Sequence, residues 1–183
     1  MAQENPAGRA KLIAQLNRIY NSHRTALLSQ KYYGRRLSSY KAWNKALEIG
    51  LAIITPGAIG SWAIWQIGLI QPFWTAIAAL AALGAVVKPF LQWPEEIERY
   101  SKLYAGYNDL YQDLDRLVAN IALKGGVTPE MLTVFRSSQA RGRTLAILDD
   151  PRPKEKLRKE CRKEVNKEKP LNNFWKPPKN AAG

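Results

Sequence analysis

Residues 95–123 read EEIERYSKLYAGYNDLYQDLDRLVANIAL, and the spacing of their apolar and aromatic residues decides how this chain folds. Ile97, Tyr100, Tyr104, Tyr107, Tyr111, Leu114, Val118 and Ile121 follow one another at alternating gaps of three and four. That is a heptad seam over almost four repeats, opening after Pro94 with acidic residues in its first turn. A seam this narrow calls for a second helix. Residues 10–33 supply one, with Ile13, Leu16, Tyr20, His23 and Leu27 on a matching stripe. The two are expected to pack as an antiparallel pair, with Tyr100, Tyr104, Tyr107, Tyr111 and Leu114 also available as a seam between copies of a homo-oligomer. An aromatic cage for a base or quaternary amine is the alternative use of the four tyrosines. His23, the only histidine, reads as a packing residue on its stripe; one histidine builds no metal site.

Between these helices lies a run of 39 residues, Ile49 to Val87, without Asp, Glu, Lys or Arg. A bilayer core about 30 Å thick takes roughly 20 apolar residues of helix, so the run fits two spans and a short turn. WQIGLIQPFW, residues 65–74, supplies the turn, with Gly68 suited to a helix end and Pro72 to a helix start. Aromatic residues bracket each span: Tyr40 and Trp43 with Trp62 and Trp65, then Phe73 and Trp74 with Phe90 and Trp93. Small residues, Gly57, Gly60 and Ser61 on the first span and Ala78, Ala81, Ala82 and Ala85 on the second, allow close helix contact, and Pro56 loosens the first.

The net charge of +13 is carried in two blocks: residues 1–48 hold nine basic and two acidic side chains, and residues 151–183 hold eleven and four. Basic flanks on both sides of the apolar run place both termini in the cytoplasm. The expected fold is thus an all-α membrane protein: a basic N-terminal helix (1–46), a transmembrane hairpin (47–93, spans about 47–67 and 72–91), the heptad helix (94–124), two C-terminal helices (125–170) and an irregular tail (171–183).

In the C-terminal part, KGGVTPE (124–130) ends one helix at Gly125 and starts the next with Thr128 as N-cap and Pro129 in the first turn. DDPRP (149–153) breaks that helix, and a last helix to about Lys169 alternates charges around a thin stripe of Leu157, Cys161 and Val165. Cys161, the only cysteine, reads as a tolerated residue of a solvated helix, with no partner for an intrachain bridge. The basic end has three readings: a solvated helix laced with Glu and Lys pairs, a lipid contact with Phe174 and Trp175 at the interface, or a phosphate-ligand site built from Arg136, Arg141, Arg143, Arg152 and Arg158. No phosphate loop or standard nucleic-acid motif is present, which argues against nucleic acid as partner. No nucleophile, acid–base pair or metal cluster stands at usable spacing, so neither an enzyme nor a cofactor is expected.

YYGRRLSSYKAWNKALE (32–48), the paired apolar stretches, EEIERYSKLYAGYNDLYQDL (95–114) and DDPRPKEKLRKECRKEVNKE (149–168) together resemble the SLATT group of bacterial two-transmembrane effectors. The resemblance implies a homo-oligomeric, pore-forming or membrane-disrupting effector of an anti-phage defence system, seated in the bacterial inner membrane. Its partners would be membrane lipid and either a cyclic-nucleotide messenger or a nucleotide-linked protein, and its output growth arrest or cell death. The alternatives are a non-conducting scaffold or anchor that recruits a partner protein, and a holin-like lysis protein.

Overall fold

The computed structural model describes residues 6–60, 79, 93–151, 153–171 and 173–177, with side chains in the first segment from 8 to 50. Four helices carry these residues: α1 (Pro6–Gly60), α2 (Trp93–Lys124), α3 (Pro129–Ile147) and α4 (Glu155–Glu168). The chain divides into two compact units, one of residues Met1–Arg35 with Ser101–Gly183 and one of Arg36–Tyr100.

The expectation of a two-span inner-membrane protein is corrected. Among the described residues no helix is long and apolar enough to cross a membrane. Within the described residues the charge-free part of α1 runs from Ile49, after Lys45 and Glu48, to Gly60. That length rises about 18 Å, well short of a bilayer core of about 30 Å, while α2, α3 and α4 carry charged residues throughout. The helical part of the expected fold holds; the membrane-spanning part, with the inner-membrane location and the bilayer pore, does not. Most of the expected spans, 47–67 and 72–91, and the turn at 65–74 lie outside the described residues. So do Ser61, Ala78, Ala81, Ala82 and Ala85, while Pro56, Gly57 and Gly60 fall on the stretch of α1 described by its backbone alone.

In the first unit α1 and α2 run antiparallel. Leu16 lies with Val118 and Ile121 at one end, His23 stacks on Tyr111 midway, Gln30 donates to Asn108 at 2.7 Å, and Tyr33 stacks on Tyr107 further along. The buried residues of α2 are Tyr100, Leu103, Tyr107, Leu110, Leu114, Leu117 and Ile121. This stripe shares Tyr100, Tyr107, Leu114 and Ile121 with the heptad read from sequence but replaces Tyr104, Tyr111 and Val118 by leucines one residue earlier. The reason is that α2 has a neighbour on each side. The tyrosine flank meets α1, where Gly34 comes within van der Waals range of the Tyr104 ring. The leucine flank meets α3, whose Leu145 packs onto Gly106 and whose Gly142 faces Leu110.

The ends of α2 and α3 follow local chemistry. Gly125, at φ 64°, takes the left-handed position after α2, and Gly126 N–H donates to Ile121 O at 3.2 Å, closing a Schellman turn. Thr128 caps α3, accepting from Met131 N, and Pro129 fills the first helical position, whose N–H has no helical acceptor.

α4 lies antiparallel on α1. Lys31 pairs with Glu168 at 2.6 Å, Arg35 with Glu160 and Glu164, and Arg24 donates to Asn166 and to Lys169 O. Beneath these pairs Cys161 is fully buried and Val165 nearly so, so Cys161 is a core residue rather than the surface thiol expected. The tail also packs inward: Phe174 lies 5.4 Å from the Tyr20 ring, Tyr20 O–H donates to Pro170 O at 3.2 Å, and Arg9 reaches Pro177 O. Phe174 and Trp175 line a small space with Leu16, Ile19 and Tyr20, which occupies the rings that a lipid contact would need.

In the second unit the Arg36 guanidinium, almost fully buried, lies 4.8 Å from the Tyr100 ring centre and 5.2 Å from that of Tyr40. It donates to the Tyr100 hydroxyl, and the two rings stack at 5.2 Å. Aromatic faces and a phenolic oxygen compensate a charge withdrawn from water.

The contact of Gly106 with α3 is the tightest test of this packing. A Cβ there would stand 2.5 Å from Leu145 Cδ2, so Gly106→Ala should destabilise the chain by about 1 kcal/mol even after the gain in helix propensity. Shortening the opposed side chain in Gly106→Ala/Leu145→Val should recover part of that loss. Thermal unfolding of the three proteins measures both effects, and an unchanged midpoint for Gly106→Ala would contradict the contact.

Candidate functional site

α3 rests on α2 but stands off from α1, because the residues that line the gap are small: Ala14, Ser22, Ala26 and Ser29 on α1, Ser138, Gly142 and Ala146 on α3. The result is a cleft of about 900 Å³ within the first unit. Its floor is apolar, formed by Tyr107, Leu110 and Leu114 of α2 with Phe135 of α3. Its walls carry Asn17, Asn21, Thr25 and Gln139, and three arginines belong to its lining: Arg18 from α1, Arg143 from α3 and Arg158 from α4. Arg18 reaches across to Gln139 at 3.5 Å. Arg143 and Arg158 are exposed, and neither guanidinium forms an ion pair with a described residue.

One acid, Asp149, lines the cleft, and its carboxylate is already engaged. Tyr33 O–H donates to Asp149 Oδ1 at 3.0 Å and Tyr107 O–H to the same oxygen at 2.8 Å. Asp150 N–H donates back to the Tyr33 hydroxyl at 3.2 Å, while the Tyr32 hydroxyl donates to Asp150 Oδ2 and accepts from Lys154 N–H. Burial, followed by the neighbouring Asp149 charge, pushes the Tyr33 phenol well above its ordinary value of 10.0. Burial and the bond to Asp149 do the same at Tyr107. Both stay protonated donors across the physiological range, and the cleft keeps a net positive rim.

Of the five arginines singled out in the sequence, the structure brings Arg143 and Arg158 to this cleft. Arg141 instead pairs with Asp113 on α2 at 2.6 Å, Arg136 is exposed and does not line it, and Arg152 lies outside the described residues. Of the expected oligomer seam, Tyr100, Tyr107 and Leu114 are buried within the chain and Tyr111 stacks on His23, while Tyr104 lies beside Gly34 and stays exposed. Arg18 was not singled out by the sequence, although Asn17, Asn21 and Thr25 recur every fourth residue beside it on the face opposite the packing stripe.

His23 lies outside the cleft lining, fully buried between Tyr20 and Tyr111. Its Nε2 stands 3.0 Å from Asp115 Oδ1, which also takes Lys169 Nζ at 3.3 Å, and its Nδ1 has no hydrogen-bond partner among the described residues. The proton therefore belongs on Nε2, leaving Nδ1 bare. Among the described residues no group of three or more His, Cys, Asp or Glu is placed to hold a metal ion.

Comparison with known proteins returns no match, whether against family models, curated sequences or solved structures.

Burial, then the Lys169 charge, lowers the His23 pKa, against the opposing pull of Asp115. The unfolded chain therefore binds a proton near pH 6.5 that the folded chain resists, so stability is complete above that pH and falls as acid is added below it. The unfolding midpoint should drop between pH 7.5 and 5.5, and His23→Gln should flatten that part of the profile. A wild-type midpoint constant over the interval would contradict a neutral, buried His23.

Proposed function

We propose that this chain is a non-enzymatic binding module whose α1–α3 cleft takes a small phosphorylated ligand of the nucleotide class. The observation that carries the reading is the gathering of Arg18, Arg143 and Arg158 around an apolar floor of suitable size. Small-ligand sites run to about 300–1,000 Å³ with mostly apolar linings and a few placed polar groups, which this cleft matches. Guanidinium groups bind phosphate oxygens two at a time and hold their charge at any physiological pH. In this arrangement Arg143 and Arg158 receive phosphate, a flat ring lies over Leu110, Leu114 and Phe135, and the amides of Asn17, Asn21 and Gln139 read its polar edge.

A catalytic role is set aside because the residues best suited to acid–base work are committed elsewhere. His23 is buried against Asp115, and Asp149 is held by two phenols. The resemblance to SLATT effectors supports a wider role as the ligand-responsive part of a nucleotide-signalled conflict system with growth arrest as its output. That role is proposed here without a bilayer-spanning step.

Calorimetric titration with inorganic phosphate, mononucleotides and cyclic dinucleotides tests the site. At least one nucleotide should bind more tightly than phosphate, and Arg143→Gln and Arg158→Gln should each weaken it by about tenfold or more. The exposed Arg136→Gln should change nothing. Absence of binding across the panel, or equal binding by all variants, would contradict the reading.

A further inference from the structure

The alternation of Lys and Glu in α4 suggests a helix that neutralises itself, but the structure separates the two signs. Glu160, Glu164 and Glu168 recur every fourth residue, so they share one side of the helix, and all three are turned to Lys31 and Arg35 of α1. The apolar residues Cys161 and Val165 are buried. Apart from Arg158 at the cleft and Asn166, which accepts from Arg24, what remains exposed is Lys156, Lys159, Arg162, Lys163 and Lys167, with Glu155 the one acid among them. None of these five cations forms an ion pair with a described residue.

We propose that this outward face of α4 is a contact surface for the phosphodiester backbone of duplex nucleic acid. Lys156, Lys159, Lys163 and Lys167 advance along one line of the helix in steps of about 4.5–6 Å, spanning about 16 Å. Each strand of a duplex advances about 3.4 Å along the axis per phosphate while winding around it, so a straight row of this length meets about three to four phosphates. The face carries no aromatic side chain for stacking on bases, which fits a contact that reads charge and not sequence. The same lack of apolar anchors disfavours the other polyanions. A lipid surface is held by helices that insert an apolar face, and α4 has spent its own on the core. Stable protein interfaces centre on buried aromatic or arginine anchors in pockets, and a row of solvated lysines offers none. This surface is independent of the cleft and of any ligand bound there.

The test uses the full chain and a fluorescent 20-base-pair duplex of mixed sequence, followed by anisotropy from 0.05 to 0.3 M salt. Binding should weaken with a log–log slope of about −3 to −4 and be indifferent to sequence. Lys156→Gln/Lys159→Gln/Lys163→Gln should lose about tenfold or more at 0.1 M salt with a shallower slope, whereas Lys159→Arg/Lys163→Arg should keep wild-type binding. Arg143→Gln, in the cleft, should also bind the duplex normally. The proposal is overturned if the duplex fails to bind at 0.05 M salt, or if the glutamine variant binds as wild type does. It is equally overturned if Arg143→Gln is as impaired as that variant, or if vesicles rich in anionic lipid bind the chain while the duplex does not.

Discussion

The carboxylate of Asp149 ties the first unit together. One of its oxygens accepts hydrogen bonds from Tyr33 of α1 and Tyr107 of α2, whose rings stack at 5.5 Å, and the backbone that carries it is the exit from α3. Three helices therefore meet at one hydrogen-bonded group. Hydrogen bonds to a charged acceptor are about twice as strong as neutral ones, and here two of them converge. Because Asp150 and Lys154 are held in the same way by Tyr33 and Tyr32, the start of α4 is fixed as well. The positions of Arg143 and Arg158 relative to the cleft follow from that anchorage.

Charge placement follows the same logic on a larger scale. The acids of α4 are used against α1, Asp113 holds Arg141, and Asp115 is shared by His23 and Lys169. With Asp113, Asp115, Asp149 and the three glutamates facing α1 committed to internal contacts, this unit gathers basic groups at the rim of the cleft and on the outer side of α4. A net charge of +13 thus acquires direction only after folding, which is why segment totals alone did not separate one basic surface from another.

Much of the helical framework was legible in the sequence. Thr128, Pro129 and Gly125 marked helix ends through local chemistry, and Tyr100, Tyr107, Leu114 and Ile121 were visible as a repeating buried set. The other half of the α2 stripe was misassigned because two overlapping patterns share those four residues. Tyr104, Tyr111 and Val118 follow them on one flank and Leu103, Leu110 and Leu117 on the other, and only the presence of α3 decides how deeply each is buried. The cleft was illegible for a related reason: it depends on which small residues of α1 and α3 face each other across α2, a matter of register between distant segments. Cys161 was misread because its charged sequence neighbours turn to α1 and to solvent while it turns inward. The charge-free run from Ile49 suggested two membrane spans by length alone, but among the described residues no helix is long and apolar enough to cross a membrane.

A double-mutant cycle at the central carboxylate tests this account most directly. Asp149→Asn, Tyr33→Phe with Tyr107→Phe, and the triple variant are compared with the wild type by denaturant unfolding. The account predicts that the two phenylalanine changes cost about 1–3 kcal/mol in the presence of Asp149 and much less once it is asparagine, a coupling that only a shared interaction produces. Effects that simply add would contradict it, because the three helices would then be held together without the clasp.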